Sequence, residues 1–466
     1  MKSVRIGAGP GFYGDSWDGA KASFTRGNLQ YFASDHLAEL TLSILQKDRA
    51  ADPAAGYCRD LLPMMKDLWP LAQAAGGVRF LSNAGGLNPH GAAQALAALF
   101  AKQGWRARIA VVTGDDVLPR LAQLQQDGHA FAQDGVALAD ASDAQGPLLP
   151  RVEFCNAYLG AQALAQALAQ GADIVIAGRV ADAALFLAPM AHEFGWPLSG
   201  PDYARPDNLD RLAQALAMGH LLECSGQACG GNFGGLGWTE MDLAHLAYPI
   251  AEVWADGRVQ IGKAPETGGR VNFDTLREQL LYEVHDPAAY YSPDLILDMR
   301  AISLHEVAPD LMELRGARGL PRPAQAKVVA GYHAGWLGQG MIGYAWPQAL
   351  RKARFAAEQI CARLGKLGVA QQDMRVEMLG HDAILGPMAQ ADAAQDHAEV
   401  WLRLAVRSAK RQIAEALPRM FPPLALSGPP FVAGRMGAAS PSQLLGIWQS
   451  RLPFDCLQPT VTLLEV

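Results

Sequence analysis

The first part of the chain alternates short apolar runs with longer segments of helical periodicity. Leu37, Leu40 and Ile44 follow helical spacing within Asp35–Gln46, and Gly91–Gln103 is a second helical segment. Strands that alternate with helices typically form parallel βαβ sheets. We therefore predict an α/β protein whose ligand-binding first domain, residues 1–245, contains a parallel sheet. Its strands are predicted at Val4–Gly9, Leu29–Ser34, Val78–Ser82, Arg108–Thr113, Val152–Tyr158 and Ile174–Ala177.

The pattern changes beyond about residue 246. Two short apolar runs, Ile250–Val253 and Val259–Ile261, flank Asp256-Gly257, which is a typical hairpin turn. Further strands then alternate with two helices, which indicates an α+β domain over residues 246–440 and a C-terminal tail over residues 441–466. These later elements are predicted at Lys327–Tyr332, Gln348–Arg363, Met374–Met378, Val400–Val406 and Ser408–Leu417.

Composition restricts the class of protein. The chain has 466 residues, with 39 Lys+Arg against 46 Asp+Glu and a net charge of -7. Charged residues make up 18% and there are 48 Gly, whereas an average protein has about 25% charged residues. This balance excludes a disordered chain, a coiled coil and a basic nucleic-acid-binding surface. A compact protein this poor in charge is expected to form a homo-oligomer.

The chain carries no signal for export or membrane insertion. Its most apolar stretch, Gly171–Met190, contains Asp173, Arg179 and Asp182, which argues against a membrane span. Glycine and proline interrupt the start of the chain, so no signal peptide is predicted. Six cysteines in so long a chain do not form a dense disulfide framework. We expect a cytoplasmic protein with no membrane and no nucleic acid among its partners.

Candidate chemistry follows the predicted strands, because ligands of parallel sheets bind outside the carboxyl ends of the strands. The first such loop, Gly7–Asp15, offers Gly9, Gly11 and Asp15 as substrate-binding residues. Its glycines let the backbone approach an anion, CoA or a nucleotide. However, Pro10 and the spacing do not match the dinucleotide-binding fingerprint. A purely structural tight turn is the alternative.

The loop after Val78–Ser82 has a similar composition. Asn83, Gly85 and Gly86 can hold a carboxylate or carbonyl group without adding charge. Asn88 and Pro89 are typical of a helix start, with Asn as the cap and Pro at the first helical position. Capping explains these two residues but leaves the glycine pair without a role.

Carboxylates and one arginine follow the next strands. Asp115 and Asp116 can cap a helix, accept ribose hydroxyls, share a proton or bind a divalent ion through waters. Asn156 lies within or near a predicted strand. Arg179 can clamp a substrate carboxylate or phosphate, or it can form an internal salt bridge with Asp182. All five residues are candidates for the site.

The segment 219–235 is the densest group of chemically active residues. His220 titrates near neutral pH, so we predict that it acts as general acid/base together with Glu223. Cys224 and Cys229 do not have the spacing of a zinc site and no second pair exists, so no metal is predicted. The cysteines can equally be small buried hydrophobic residues beside a glycine loop.

Two later motifs are weaker candidates. Gly268 and Gly269 form a turn that can close over an anion. Glu283 and His285 precede Pro287, where they can simply end a helix, since His is favourable at a helix C-terminus.

In their joint order, these motifs resemble the acyclic terpene utilisation (AtuA) family, from near residue 4 to about residue 350. The residues that carry the resemblance are the glycine-rich start through Asp15, His36–Glu39, Asn83–Pro89, Gly114–Asp116, Asn156–Gly160, Gly171–Arg179, Gly219–Cys224 and Tyr282–Pro287.

The resemblance implies a role in the breakdown of branched, terpene-like or short acyl-CoA compounds, alongside biotin-dependent acyl-CoA carboxylase systems. Many members carry a further small C-terminal domain, and this chain ends at Val466 soon after its large region closes. The resemblance thus implies that this small domain is either absent or a separate protein, and in the second case a small subunit is expected as a partner.

These observations favour an enzyme that acts on a carboxylate or acyl-CoA by acid/base chemistry, as a hydratase, lyase or isomerase. Asp116, His220 and Glu223 are the predicted catalytic residues. The sequence leaves the cofactor open and offers a CoA thioester as a candidate part of the substrate. One alternative is an enzyme that binds a nucleotide or NAD. Another is a non-catalytic subunit of an acyl-CoA catabolic complex.

Overall fold

The computed structural model describes residues 2–389, 397–436 and 440–466. The chain divides into two compact units. The first contains Met1–Leu138, Glu153–Gly331 and Ile447–Val466, and the second contains Ala139–Val152 and Tyr332–Gly446. This division differs from the boundaries expected at residues 245 and 440, because the hairpin region after residue 246 and the end of the chain join the sheet of the first unit.

The strands, in chain order, are β1 Ser3–Ala8, β2 Tyr31–Ser34, β3 Arg79–Ser82, β4 Arg108–Thr113, β5 Ser142–Asp143, β6 Gly146–Pro147, β7 Val152–Ala157, β8 Ile174–Ala177, β9 Pro249–Trp254, β10 Val259–Lys263, β11 Tyr290–Tyr291, β12 Ile296–Asp298, β13 Ser303–Ala308, β14 Leu311–Arg315, β15 Arg318–Leu320, β16 Gln325–Ala345, β17 Met374–Leu379, β18 Glu399–Ser408, β19 Val432–Met436, β20 Ser442–Pro453 and β21 Thr460–Glu465.

The helices are α1 Asp18–Arg26, α2 Glu39–Ala51, α3 Leu61–Ala74, α4 Pro89–Gln103, α5 Leu121–Gln126, α6 Ala161–Ala169, α7 Ala184–Phe194, α8 Pro206–Glu223, α9 Phe273–Leu281, α10 Ala349–Lys366, α11 Arg411–Ala416 and α12 Leu424–Ser427. Within the described ranges, none of these helices combines the length and the hydrophobicity that a bilayer span requires.

A ten-stranded sheet, in the order β13-β14-β10-β9-β1-β2-β3-β8-β4-β21, forms the core of the first unit. Its five central strands, β1, β2, β3, β8 and β4, are parallel. Every residue of β2 and β8 is buried, which explains why these strands are continuous apolar runs in the sequence. The predicted α/β class with a parallel βαβ sheet is confirmed.

An aromatic cluster fixes three helices on this sheet. The ring centroid of Phe32 on β2 lies 4.9 Å from that of Phe24 on α1 and 5.3 Å from that of Phe80 on β3. Trp69 on α3 and Phe100 on α4 extend the cluster, with centroids 4.9 Å apart. Aromatic pairs at these separations add to the free energy gained from burial alone.

Antiparallel strands extend the parallel core at both edges. On one side, β9 and β10 form the predicted hairpin and pair in register from Val253 with Val259 onwards. On the other side, β21 pairs antiparallel with β4 along its whole length. Residues 441–466, expected to form a tail, therefore contain β20 and β21, because Thr460, Val461 and Thr462 are residues that favour strands.

The second unit has an antiparallel sheet in the order β17-β18-β16-β19. The helix α10 packs against it through a buried cluster that includes Ala353, Ile360, Ile342 and Leu402. Residues 390–396 and 437–439 of the predicted 246–440 domain lie outside the described residues.

Candidate functional site

The five parallel strands all end at one edge of the sheet, where polar residues follow them. Asp35, which follows β2, accepts a short hydrogen bond from the side-chain amide of Asn83, which follows β3. The Oδ1 of Asn83 in turn accepts a hydrogen bond of 2.7 Å from the backbone N–H of His36. Burial, together with the charge of Asp182, raises the pKa of Asp35 well above its usual range.

Asp115, which follows β4, links three of the predicted site residues. Its Oδ2 accepts hydrogen bonds of 2.8 Å from Asn156 Nδ2 and from the backbone N–H of Arg179. Gly178 is required here, because a Cβ at that position would collide with the Asp115 carboxylate. Burial raises the pKa of Asp115 to about 6, although both hydrogen bonds act to lower it.

Arg179 is a buried cation, with only 2% of its surface exposed. Its Nη1 donates a 2.7 Å hydrogen bond to Leu37 O, and its Nη2 lies 2.8 Å from Asp182 Oδ1. The guanidinium carbon is 4.0 Å from the ring centroid of Tyr158, which is a cation–π distance. Among the described residues, the Nε–H of Arg179 has no acceptor.

Arg179 lines a cavity of 1360 Å³ that lies within the first unit. Asp182, Glu283 and Tyr290 share its wall, and the loop 128–134 and the end of β20 line other parts of it. Ligand pockets usually occupy about 300–1,000 Å³, so this volume accommodates a ligand larger than a small metabolite.

A second cation of the cavity wall lies next to Tyr158. The Nζ of Lys327 is 4.8 Å from the Tyr158 ring centroid and donates a 2.7 Å hydrogen bond to Glu39 Oε1. The hydroxyl of Tyr158 donates to the same oxygen at 2.7 Å. Burial opposes ionisation of Glu39, but its hydrogen bonds with Lys327 and Tyr158 and the charge of Lys327 together outweigh burial and lower its pKa to about 2.

His220 and Glu223 form a buried pair one turn apart on α8, 1% and 5% exposed respectively. His220 Nε2 lies 3.2 Å from the carbonyl oxygen of Leu280, which can only accept, so Nε2 carries a proton. His220 Nδ1 lies 3.0 Å from Glu223 Oε1, and one more proton is therefore shared between these two atoms. The other oxygen of Glu223, Oε2, has no partner among the described residues.

The pair has an altered acidity. Burial raises the pKa of Glu223 to about 7, although its hydrogen bond with His220 acts to lower it. Burial lowers the pKa of His220, but the hydrogen bond and charge of Glu223 outweigh burial, so this pKa is raised. The negative charges of Asp182 and Glu283, both on the cavity wall, further disfavour ionisation of Glu223. The pair thus holds one proton near neutral pH behind the cavity.

The first glycine loop contacts the end of α8. A Cβ on Gly11 would lie 3.0 Å from the backbone oxygen of Glu223, and one on Gly9 would lie 2.6 Å from the Phe32 ring. Asp15 Oδ2 accepts a 3.0 Å hydrogen bond from Gly11 N and so holds the loop itself. In the described part of the chain, these three residues are not on the cavity wall.

The remaining predicted residues lie apart from the cavity wall formed by described residues. Gly85 packs against the backbone oxygen of Ala177, and a Cβ on Gly86 would collide with the Leu45 side chain. Gly268 and Gly269 form backbone hydrogen bonds with the segment 242–245. Asp116 is exposed, and its Oδ1 accepts a 3.0 Å hydrogen bond from Leu118 N.

The cysteines of segment 219–235 are not paired, since Cys224 and Cys229 are free thiols. Burial raises the pKa of both thiols and so opposes formation of a nucleophilic thiolate. Within residues 2–389, 397–436 and 440–466, no three His, Cys, Asp or Glu side chains converge as metal ligands would.

Sequence reasoning missed five polar residues of the site, namely Asp35, Glu39, Tyr158, Tyr290 and Lys327. The helical spacing of the sequence predicts Asp35 at the start of a helix. Its position directly after a buried strand is the feature that indicates a site residue. Tyr158 had the same signal, because it follows β7. Lys327 and Tyr290 come from later strands, and only the fold brings them to the cavity wall.

The fold and the cavity define an α/β protein with a cavity, lined in part by charged residues, beside the carboxyl ends of its parallel strands. The chain belongs to the acyclic terpene utilisation family: the family model described as "Acyclic terpene utilisation family protein AtuA" matches residues 4–463. The resemblance seen in the sequence is thereby confirmed. No curated protein and no solved structure matches the chain.

Proposed function

We propose that this protein is a catabolic enzyme that binds a carboxylate or acyl-CoA and moves protons on it, as a hydratase, lyase or isomerase. The description of the family as acyclic terpene utilisation supports this proposal, and we propose branched or terpene-derived acyl groups as the substrates. A cytoplasmic location, a homo-oligomer and a separate small subunit stay predictions from the sequence.

The observation that carries this proposal is the buried Arg179, which belongs to the cavity wall and whose Nε–H has no acceptor among the described residues. Leaving a buried donor without an acceptor costs about 1–3 kcal/mol, so a ligand oxygen that reaches it is favoured. The carbonyl or carboxylate oxygen of a substrate supplies such an acceptor. The same charge would stabilise negative charge that develops on that oxygen during the reaction.

Two carboxylates share the cavity wall with this cation. Asp182 and Glu283 are on the cavity wall and can exchange a proton with a substrate carbon beside the carbonyl group. Behind them, the His220–Glu223 pair holds a proton at near-neutral pH. We assign His220 and Glu223 the role of proton reservoir for Asp182 and Glu283. Asp116 lies on another part of the first unit, so its predicted catalytic role has less support.

The loop after β1 does not favour the alternative of a nucleotide-binding enzyme. β1 ends at Ala8 and α1 begins only at Asp18, which places an acidic residue in the first turn of the helix. Dinucleotide sites instead need a tight turn and a free helix N-terminus beside the pyrophosphate. A non-catalytic role is disfavoured because several buried charges are costly to maintain without a ligand.

The test combines binding with proton exchange. Isothermal titration with isovaleryl-CoA, free isovalerate, NAD and ATP should show binding of the acyl-CoA or the acid but of neither nucleotide. Arg179→Lys should weaken binding about tenfold or more, since it removes the Nε–H and the fixed guanidinium geometry. Arg300→Lys, which changes only an exposed ion pair with Asp298, is the control.

Proton transfer is measured separately by mass spectrometry of the ligand after incubation in deuterium oxide. Wild-type protein should introduce deuterium beside the carbonyl group, and Glu283→Gln or Asp182→Asn should slow this exchange about 100-fold. Tight binding of the ligand without any deuterium exchange would indicate a binding protein and would refute the enzymatic proposal. Binding of NAD in place of the acyl-CoA would refute the ligand class.

A further inference from the structure

A Cys–His pair outside the acid/base site lies beside the same cavity. The Sγ of Cys456 is 3.3 Å from Nε2 of His129, and His129 is on the cavity wall. Cys456 follows Pro453 by three residues, and Pro453 is also on that wall. A thiol within hydrogen-bond reach of an imidazole is the arrangement that nucleophilic cysteines require.

The other five cysteines lack this arrangement. Cys58, Cys155 and Cys229 are fully buried, and burial raises the pKa of all three thiols. The pKa of the Cys224 and Cys361 thiols is also raised by burial. Since the thiolate is the reactive form, burial makes these five poor nucleophiles.

The backbone around Cys456 is fixed in place. The turn Phe454–Cys456 is closed by a 2.9 Å hydrogen bond from Leu457 N to Phe454 O. The guanidinium of Arg120 donates a 2.5 Å hydrogen bond to the carbonyl oxygen of Cys456. On the other side, the backbone N–H of His129 donates to Leu124 O at 3.0 Å. The backbone of each partner is therefore held by hydrogen bonds of its own.

We propose that Cys456, with His129 as its base, is an acyl-acceptor site that takes the acyl group from a thioester ligand of the cavity. This inference takes only the class of ligand from the proposed function and depends on it in no other respect. It assigns a covalent step that the acid/base chemistry at Arg179 does not include.

The step is a thiol–thioester exchange. His129 Nε2 takes the proton from Cys456 Sγ, which attacks the carbonyl carbon of the acyl-CoA. The new bond joins Sγ to that carbon, the bond from the carbon to the CoA sulfur breaks, and the CoA sulfur receives the proton from His129. No oxidant or reductant takes part. The reverse step, with free CoA, regenerates the acyl-CoA and the thiol.

Two measurements test the proposal on the full chain. Intact-mass spectrometry after incubation with isovaleryl-CoA should show one added isovaleryl group, which peptide mapping locates at Cys456. Isotope-labelled free CoA should exchange into isovaleryl-CoA in the presence of the protein. This exchange is a signature of a covalent intermediate that a structural cysteine would not produce.

Variants separate the roles of the two residues. Cys456→Ser should abolish both signals, and His129→Gln, which keeps the thiol, should slow acylation about 100-fold. Cys361→Ser is the matched control and should acylate like wild type. Acylation that persists in Cys456→Ser, or wild-type protein that binds isovaleryl-CoA without acylation or exchange, would overturn the proposal. The latter result would leave the proposed acid/base function standing, since that function depends on Arg179, Asp182 and Glu283.

Discussion

Near the sheet edge, neighbouring atoms determine which residue types fit at a given position. At Gly178 and Gly85, the atoms that exclude a Cβ are the Asp115 carboxylate and the backbone oxygen of Ala177, respectively. These glycines let strand ends and loops approach each other, so that Asp115 and Arg179 come into contact. Arg179 is on the wall of the cavity, whereas Gly178 and Gly85 are not.

The carboxyl group of Asp294 allows a test of how the burial of a single ionisable residue affects stability. Its Oδ1 accepts a 2.8 Å hydrogen bond from Ala161 N, and burial raises its pKa to about 6. The protonated carboxyl of Asp294 therefore stabilises the folded protein relative to the ionised carboxylate. This contribution is fully present below the pKa of the unfolded chain, near 4, and is lost as the pH rises through the folded-state pKa of about 6. Asp294→Asn keeps an acceptor for Ala161 N but cannot ionise.

We therefore expect the difference in unfolding free energy, Asp294→Asn minus wild type, to increase by about 2–3 kcal/mol as the pH rises from 4 to 7. Melting temperatures of both proteins across this range measure the difference. A constant difference at all pH values would contradict the raised pKa. Asp298→Asn is the control, because Asp298 is paired with Arg300 and its pKa is lowered.

Local spacing made part of the site predictable. His220 and Glu223 are three residues apart on a helix, so their contact follows from helical geometry alone. The partner of Asp35 is Asn83, 48 residues away, and no local pattern connects these two. The buried state of Arg179 likewise depends on Leu37 and Tyr158, which sequence spacing does not place beside it.

At the scale of elements, the parallel strands were the most predictable part of the fold. Arg108–Thr113 and Ile174–Ala177 were predicted with the bounds that the structure has, because both are continuous apolar runs between polar turns. β21 was not predicted as part of the sheet. Its side chains are mostly exposed, so hydrophobic periodicity does not mark a strand that covers a sheet edge.

The start of α4 is an element whose cap can be tested. Asn88 Oδ1 accepts a 2.9 Å hydrogen bond from Gly91 N, and its Nδ2 donates to the carbonyl oxygens of Ala54 and Ala55. Asn88→Ala should lower the free energy of unfolding by about 1 kcal/mol or more, because it removes the cap and both loop bonds. Asn88→Asp keeps the capping oxygen and should lose less. Thermal melting of both variants measures this, and equal losses would show that the cap itself contributes nothing.

At the scale of the whole molecule, the first unit is assembled from three separate segments of the chain. A division at residue 245 followed the change in local pattern, but the hairpin β9–β10 continues the same sheet as β1. The local pattern of hydrophobic residues indicates which strands and helices form. The compact unit to which each element belongs depends on strand pairing between segments that are distant in the sequence.

Removal of residues 459–466 tests the role of the last strand. β4 has four buried residues, Ile109–Val112, and without β21 its backbone becomes a free edge, which favours intermolecular pairing. The truncated chain should melt at lower temperature and form aggregates in light scattering. Leu463→Thr, which changes a partly exposed side chain and keeps the strand, is the control. A monodisperse truncated chain with unchanged melting temperature would contradict this role of β21.

The pairing of β4 with β21 also has a consequence for biosynthesis. Thr113 and Thr460, whose hydroxyl oxygens lie 2.7 Å apart, are separated by 347 residues. Ribosomes add about 5–20 residues per second, so β4 leaves the exit tunnel about 20–70 s before its partner exists. During that interval the nascent sheet has an open edge. Nascent chains of this protein should therefore depend on ribosome-associated chaperones until translation is nearly complete.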